Sequence, residues 1–210
     1  MPKYLCELVG TFFFVLLIAL AVNANSPLAP LFIGLSLMVL VYAFGWISGA
    51  HFNPAVSLAM AVRGALPIPE FVPYAIAQIV GALLAGFAAS KIFGASFLPE
   101  PGKDIALGAA LGAEFLFTML LCVVVINVAA VRKTAGNSYY GAAIGMTVAA
   151  AAYGAGAISG GAFNPAVMFG GLASKAGTFP TSFALYVLVQ LVGGFAAALF
   201  FKLERPEDAA

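Results

Sequence analysis

Long apolar runs alternate with short polar segments along the whole chain. Six of the runs contain about 20 residues or more, the length that a helix needs to cross about 30 Å of hydrocarbon. These six predicted membrane-spanning helices cover residues 4–22, 29–47, 71–93, 105–131, 139–158 and 183–203. Two shorter apolar runs, residues 53–62 and 164–172, follow the second and fifth spans. Because they are too short to cross, each predicts a re-entrant half-helix.

The polar segments between the runs hold most of the charges and many of the prolines, so they predict loops. The predicted loops are residues 23–30, 63–69, 94–104, 132–138 and 174–181. With the N-terminus in the cytoplasm, three basic residues fall outside the cell: Lys91, Lys103 and Lys175. Six fall inside: Lys3, Arg63, Arg132, Lys133, Lys202 and Arg205. This bias follows the positive-inside rule and predicts that both termini are cytoplasmic.

The composition supports a location in lipid. Of the 210 residues, 63% are hydrophobic and 8% are charged, far outside the range of a soluble globular domain. The formal net charge of +1 provides no basic surface, so no nucleic-acid partner is expected. Cys6 and Cys122 lie in apolar runs without neighbouring metal ligands, so we expect buried thiols, no metal site and no cofactor. Four glycines predict close helix packing: Gly81, Gly86, Gly193 and Gly194.

The second half of the chain repeats the first. The matching segments are residues 6–14 with 113–118, 47–49 with 158–160, 52–56 with 163–167, and 78–81 with 190–193. Each half holds three predicted spans, an odd number, so the second copy must lie upside down relative to the first. We therefore expect one all-α membrane domain over residues 1–210, built from inverted repeats at about 4–93 and 105–203. The two half-helices then enter from opposite faces and meet near the midplane.

Each half-helix begins with Asn-Pro-Ala, a sequence that starts helices because Asn is a favoured N-cap and Pro fits the first turn. Two helix N-termini that converge at the midplane repel cations and protons, since each carries about half a positive elementary charge. The Asn amides can donate to the oxygen of a passing molecule while the remaining wall stays apolar, which interrupts a hydrogen-bonded water chain. The alternative is that both Asn residues only cap buried helices. The candidate pore residues are Asn53, Pro54, Ala55, Asn164, Pro165 and Ala166.

The chain resembles the major intrinsic protein family, the aquaporins and aquaglyceroporins, from about residue 4 to residue 203. The best-matched stretch is residues 48–56, Ser-Gly-Ala-His-Phe-Asn-Pro-Ala-Val. The resemblance implies six transmembrane helices, two re-entrant half-helices, an hourglass pore in each subunit and four subunits side by side in the bilayer. It also implies a bacterial inner membrane or a eukaryotic membrane as the setting, and we expect a plasma (inner) membrane location.

Glu7 and Glu114 lie at equivalent places in the two repeats and inside predicted spans, where a carboxylate is costly. A proton relay is one interpretation. In the family that this chain resembles, such a glutamate accepts hydrogen bonds from the re-entrant loop, and we favour that structural role. His51 is the single histidine, so it cannot form a histidine-based metal site or a catalytic pair. We expect it to support the loop that lines the pore rather than to act as a pH switch.

The chain departs from the family at the outer constriction. The family usually continues its second motif as Asn-Pro-Ala-Arg, and that arginine forms one wall of the selectivity filter. Here the position holds Val167, and the family's spacing puts the other filter positions at Ile33, Ala152 and Gly161. The loss of a fixed charge and of bulk predicts a wider, more apolar constriction with weaker cation exclusion. Water and small neutral solutes such as glycerol, urea, ammonia or methylamine-like compounds are the expected cargo.

Two alternatives stay open. An apolar filter also raises the free energy needed to strip water from a polar solute, and Phe32 or Phe163 could refill the gap, so a strict water channel is the first. A secondary transporter also uses inverted repeats and broken helices, although Glu7 and Glu114 are the only charges available for an ion site. An enzyme would need a nucleophile and base or a metal site, and the sequence offers neither, so no enzymatic activity is expected.

Overall fold

The computed structural model describes residues 1–175 and 180–204, and within these ranges it contains eight α-helices and no strand. The helices are α1 (Pro2–Asn23), α2 (Ala29–Ser48), α3 (Pro54–Arg63), α4 (Phe71–Phe93), α5 (Leu107–Ala129), α6 (Tyr140–Ser159), α7 (Pro165–Ser174) and α8 (Phe183–Glu204). Short 3-10 turns at Ile68–Glu70 and Arg132–Thr134 precede α4 and α6. Arg205 and part of the predicted loop 174–181 lie outside the described residues.

Six of the helices are long and apolar enough to cross a membrane. They confirm the six predicted spans, and each predicted boundary lies within two residues of the observed one. The remaining helices, α3 and α7, have ten residues each, which corresponds to about 15 Å and half of the hydrocarbon thickness. The predicted all-α fold with two half-helices is therefore confirmed.

The helix packing repeats between the two halves. Helix α1 packs on α2 and α4 in the first half, as α5 packs on α6 and α8 in the second. The half-helix α3 lies against α8, and its counterpart α7 lies against α4. Smaller contacts of α3 with α4 and α5 correspond to those of α7 with α8 and α1, and the contacts of α2 with α6 and of α3 with α7 join equivalent helices. Each of these contacts between α-helices thus has its counterpart in the other half or joins two equivalent helices, as a two-fold inverted repeat requires.

Glycines allow several of these helices to approach closely. A Cβ atom on Gly81 would lie 2.3 Å from the carbonyl oxygen of Leu8 in α1, and one on Gly193 would lie 2.7 Å from that of Phe115 in α5. Both distances are shorter than real Cβ contacts, so only glycine fits. The prediction of close packing is confirmed at Gly81, Gly86, Gly193 and Gly194.

Large apolar side chains cover much of the outside of the bundle, including Val39, Phe87 and Leu116. In a soluble protein such a surface would aggregate, whereas in a bilayer it faces lipid. The two cysteines are free and buried, as expected. At the end of the bundle where α1 begins, Lys3 Nζ lies 2.8 Å from Glu70 Oε1.

Candidate pore and selectivity site

Both half-helices begin with the same capping geometry. Asn53 Oδ1 accepts a hydrogen bond from the backbone N–H of Ala55 at 2.8 Å, and Asn164 Oδ1 accepts one from Ala166 at 2.9 Å. Both asparagines have extended backbone conformations, and Pro54 and Pro165 follow them at the first helical position. The sequence forms helix starts here because the cap satisfies a free N–H and proline needs no acceptor.

The two motifs also bond to each other. The Nδ2 of Asn53 donates to the carbonyl oxygen of Phe163 at 3.0 Å, and the Nδ2 of Asn164 donates to that of Phe52 at 2.9 Å. A side-chain amide carries two N–H groups, so each asparagine has a second donor for a molecule beside it. Both asparagines line one narrow cavity. The structure thus brings the two predicted motifs together in the middle of the bundle.

The residue before each asparagine adopts a strained backbone. Phe52 and Phe163 both have φ of 48°, in the left-handed region that costs a non-glycine residue roughly 1–2 kcal/mol. This conformation accompanies the carbonyl contacts to the opposite asparagine, and both aromatic rings are buried. The same unusual turn at two equivalent positions shows that the loops are built alike.

The buried carboxylate of Glu7 accepts four hydrogen bonds. Its Oε1 accepts from the backbone N–H of His51 at 3.0 Å and from Ser48 Oγ at 2.6 Å. Its Oε2 accepts from the backbone N–H of Phe52 at 2.7 Å and from Gln78 Nε2 at 2.8 Å. The carboxylate therefore ties the first re-entrant loop to α1, α2 and α4.

Glu114 has the same set of contacts in the second repeat. Its four donors are the backbone N–H groups of Ala162 and Phe163, at 3.0 and 2.7 Å, and the side chains of Ser159 and Gln190, both at 2.7 Å. Both glutamates have 0% exposure, and neither lines the three cavities described below. A proton relay would need a carboxylate that reaches a space open to water.

His51 lies beside the first motif. Its Nδ1 is 3.0 Å from Ser57 Oγ, and its ring lies 5.2 Å from the ring of Tyr74, measured between centroids. The side chain is buried and lines the same narrow cavity as the two asparagines. The equivalent position in the second repeat is Ala162, so the two loops differ in bulk at this point.

Three cavities follow one another through the bundle. The cavity that contains the predicted filter residues, here called the filter vestibule, measures about 440 Å³. The narrow cavity between the asparagines, here called the waist, measures about 30 Å³, and the cavity beyond it, here called the opposite vestibule, about 300 Å³. The waist shares Phe14, Val148 and Ala162 with the filter vestibule, and Gly49 and Ile144 with the opposite vestibule. The waist thus adjoins both vestibules, whereas the two vestibules share no lining residue.

All four predicted filter positions line the filter vestibule: Ile33, Ala152, Gly161 and Val167. The two aromatic residues considered as replacements for the arginine do not. Phe32 is 52% exposed on the outside of α2, and Phe163 packs on Phe117 with 5.6 Å between ring centroids. Neither lines the filter vestibule, so neither refills the gap that Val167 leaves.

A sequence model of the family described as major intrinsic protein matches residues 1–201. The chain belongs to the major intrinsic protein family. It is 34% identical over 222 residues to the Glycerol uptake facilitator protein-like 6 of Lactiplantibacillus plantarum, covering 99% of this chain and 100% of that relative. It is 37% identical over 213 residues to Aquaporin-8 of Mus musculus, covering 94% and 79%. The X-ray structure of the aquaglyceroporin from Plasmodium falciparum has the same fold, with a TM-score of 0.83 at 20% identity and coverage of 99% and 98%.

This member of the major intrinsic protein family is thus a transmembrane channel for water and small solutes, and not an enzyme.

Sequence reasoning missed several residues that line the waist. Val148 lies four positions before Ala152, and Phe14 lies seven positions after Glu7, so helical spacing from known positions could have found both.

The segment between α4 and α5 forms a further part of the wall of the filter vestibule, and the sequence did not indicate it. Residues 96–99 line the filter vestibule. The Oγ of Ser174 donates to the carbonyl oxygen of Phe97 at 2.7 Å, and the Nδ2 of Asn23 donates to that of Ser96 at 2.8 Å. Lys175 follows α7 at this vestibule and is the single charged residue among the described residues that line it.

Proposed function

We propose that this chain is a passive channel for water and for small neutral solutes of the glycerol, urea and ammonia kind, and that it excludes protons. The observation that carries the proposal is the filter vestibule of about 440 Å³, whose wall includes Val167 at the position where the family usually has arginine. Ile33, Ala152 and Gly161 complete an apolar wall with little bulk. A solute meets fewer fixed donors and more space there than beside an arginine.

Proton exclusion is supported by the geometry of the asparagines. The N-termini of α3 and α7 meet at the waist, and each asparagine has an N–H free to donate to an oxygen atom. A water that accepts from both amides directs its own hydrogens away from them, towards apolar walls, and the chain of proton-conducting bonds is interrupted. In this proposal Asn53 and Asn164 orient the permeating molecule, with Pro54, Ala55, Pro165 and Ala166 forming the helix starts.

The buried glutamates have a structural role in this proposal. Glu7 and Glu114 each hold two backbone N–H groups of a re-entrant loop, and His51 packs beside the first loop on Ser57 and Tyr74. We also propose that residues 1–210 act as one domain, that four copies assemble side by side, and that the protein lies in the plasma (inner) membrane with both termini in the cytoplasm. The charge bias of the loops supports this orientation.

A strict water channel is the second candidate, and the waist of about 30 Å³ favours it. A cavity needs roughly 10–15 Å³ to hold one water, so the waist has room for about two. The two candidates differ in whether a three-carbon solute crosses at a measurable rate.

The test is stopped-flow light scattering on liposomes that contain the purified protein. Shrinkage in an impermeant osmolyte reports water flux, and swelling recovery in glycerol or urea reports solute flux. We expect the native chain to pass solute and Val167→Arg to lower that flux about tenfold, which corresponds to about 1.4 kcal/mol in the barrier, while water flux persists. A pH-sensitive dye inside the vesicles should report no proton flux above that of protein-free vesicles.

Val167→Met is the matched control, because it adds length without charge or donors. We expect it to lower solute flux less than Val167→Arg does. If glycerol, urea and ammonia all fail to cross in the native chain while water crosses rapidly, the proposal is wrong and the strict water channel is correct.

A further inference from the structure

We infer that this channel selects solutes by size at the waist, between Phe14 and Val148, and not at the four filter positions. The inference rests on the proposed function, because it names where the selectivity of that function is set. The two vestibules measure about 440 and 300 Å³, whereas the waist measures about 30 Å³. The waist is therefore the smallest of the three cavities that a permeating solute would occupy.

The position of the waist follows from the repeat. Five pairs of equivalent residues line it, with one member of each pair from each half: Asn53 and Asn164, Phe52 and Phe163, His51 and Ala162, Phe14 and Leu121, and Leu37 and Val148. Equivalent residues lie on opposite sides of the two-fold axis that relates the repeats. The path is thus enclosed from both sides at the axis, while each vestibule lies to one side of it.

The residues at the filter positions and their repeat counterparts do not line the same cavity. Ile33 lines the filter vestibule, whereas its repeat counterpart Ile144 lines the waist and the opposite vestibule. Likewise Ile18 lines the filter vestibule and its counterpart Val125 lines the waist. Side chains at the filter positions therefore do not face their counterparts across the path, and the small residues Ala152 and Gly161 leave the vestibule wide.

The side chains that form the wall of the waist are held in place by packing. Phe14 and Val148 are both buried, and Val148 is β-branched and restricted to few side-chain conformations within α6. Leu37, Leu121 and Val125 pack around them in the same wall, and packed interiors resist displacement. Water and ammonia fit this space, whereas a three-carbon polyol is larger than the space and passes only when the side chains of the wall move. We therefore assign the barrier for glycerol to the waist.

The experiment compares two identical truncations at the two places. Val148→Ala removes two methyl groups from the waist, and Val167→Ala removes the same two from the filter vestibule. Both variants and the native chain are reconstituted, and glycerol flux is divided by water flux in the same vesicles. We expect Val148→Ala to raise this ratio roughly fivefold or more, and Val167→Ala to change it less than about twofold.

Phe14→Leu provides a second probe, since it gives α1 the residue that α5 already has at the equivalent position, Leu121. It should also raise the ratio of glycerol flux to water flux, and it serves in place of Val148→Ala if that variant does not fold. An equal or larger increase for Val167→Ala overturns the inference, as does an unchanged ratio for a waist variant that keeps normal water flux.

The outcomes separate this inference from the proposed function. If the native chain passes no glycerol and Val148→Ala admits it, the proposed solute range is wrong and the waist inference is supported. If the native chain passes glycerol and only Val167 variants change the rate, the proposed solute range holds and the waist inference is wrong.

Discussion

Glu7 and Glu114 explain how a carboxylate can lie inside a membrane bundle. Each has no exposed surface, yet each accepts four hydrogen bonds from fixed donors. Burial of a charge is strongly unfavourable unless hydrogen bonds replace its hydration. The donors include two backbone N–H groups of a loop that cannot form a regular helix there. Charge and loop thus stabilise each other.

Glu114→Gln should lower the free energy of unfolding by about 3 kcal/mol, because hydrogen bonds to charged groups contribute roughly 1.5–3 kcal/mol each and glutamine offers a single acceptor oxygen. It would also direct an NH₂ group at the backbone donors of Ala162 and Phe163. The measurement is thermal unfolding of the protein in detergent micelles. Glu70→Gln at the end of the bundle is the control and should lower the unfolding midpoint much less, because its partly exposed carboxylate loses one ion pair, with Lys3. Equal midpoints for both variants would contradict the role of Glu114.

At the scale of helices, contact with a neighbour decides where glycine is required. Gly81 in α4 lies against the backbone of α1, where an added Cβ atom would be 2.3 Å from the carbonyl oxygen of Leu8. Gly112 in α5 has no heavy atom within 4 Å of the same added atom. Both are glycines inside long membrane-spanning helices, but only Gly81 lies in a segment that recurs in the other repeat, residues 78–81 with 190–193.

Gly81→Ala should therefore destabilise the protein by about 2 kcal/mol, within the range of roughly 1–3 kcal/mol for overpacked interiors. Gly112→Ala should be neutral or stabilising by up to about 1 kcal/mol, because alanine is the better helix former. Thermal unfolding in detergent measures both. A loss of stability in Gly112→Ala as large as that in Gly81→Ala would show that helix contact is not the cause.

The membrane-spanning helices and the two Asn-Pro-Ala motifs could be predicted from the sequence for physical reasons. Spans are set by the thickness of hydrocarbon, and the two Asn-Pro-Ala starts recur at equivalent places, so both leave a strong pattern. The residue types of Phe14 and Val148 do not indicate the pore, because an apolar side chain in a span can face lipid, a neighbouring helix or a channel. Only helical spacing from Glu7 and Ala152 indicates which way they face. The segment 96–99 has no periodic pattern at all. Only the three-dimensional packing places it at the filter vestibule.

On the scale of the whole molecule, the inverted repeat and the loop charges together predict a fixed orientation. Lys103 lies in the connection between α4 and α5, and Lys133 lies in the connection between α5 and α6. One transmembrane helix separates them, so they lie on opposite sides of the membrane. Both side chains are exposed, whereas the native thiols of Cys6 and Cys122 are buried.

Labelling with a membrane-impermeant maleimide should resolve the orientation. We expect Lys103→Cys to react in intact cells, and Lys133→Cys to react only after the membrane is permeabilised. The native chain is the control and should remain unlabelled under both conditions, because its thiols are buried. The reverse pattern would mean that the termini lie outside the cytoplasm.

The exchange of hydrogen bonds between the two motifs also imposes an order on biosynthesis. Asn53 donates to a carbonyl that lies 110 residues later in the chain. At about 5–20 residues per second, a ribosome makes that carbonyl about 6–22 s after Asn53. Throughout this interval Glu7 can already hold the first loop, but the amide of Asn53 lacks its acceptor. The first half of the chain therefore enters the bilayer with an open polar loop, which the insertion machinery must tolerate until the second half arrives.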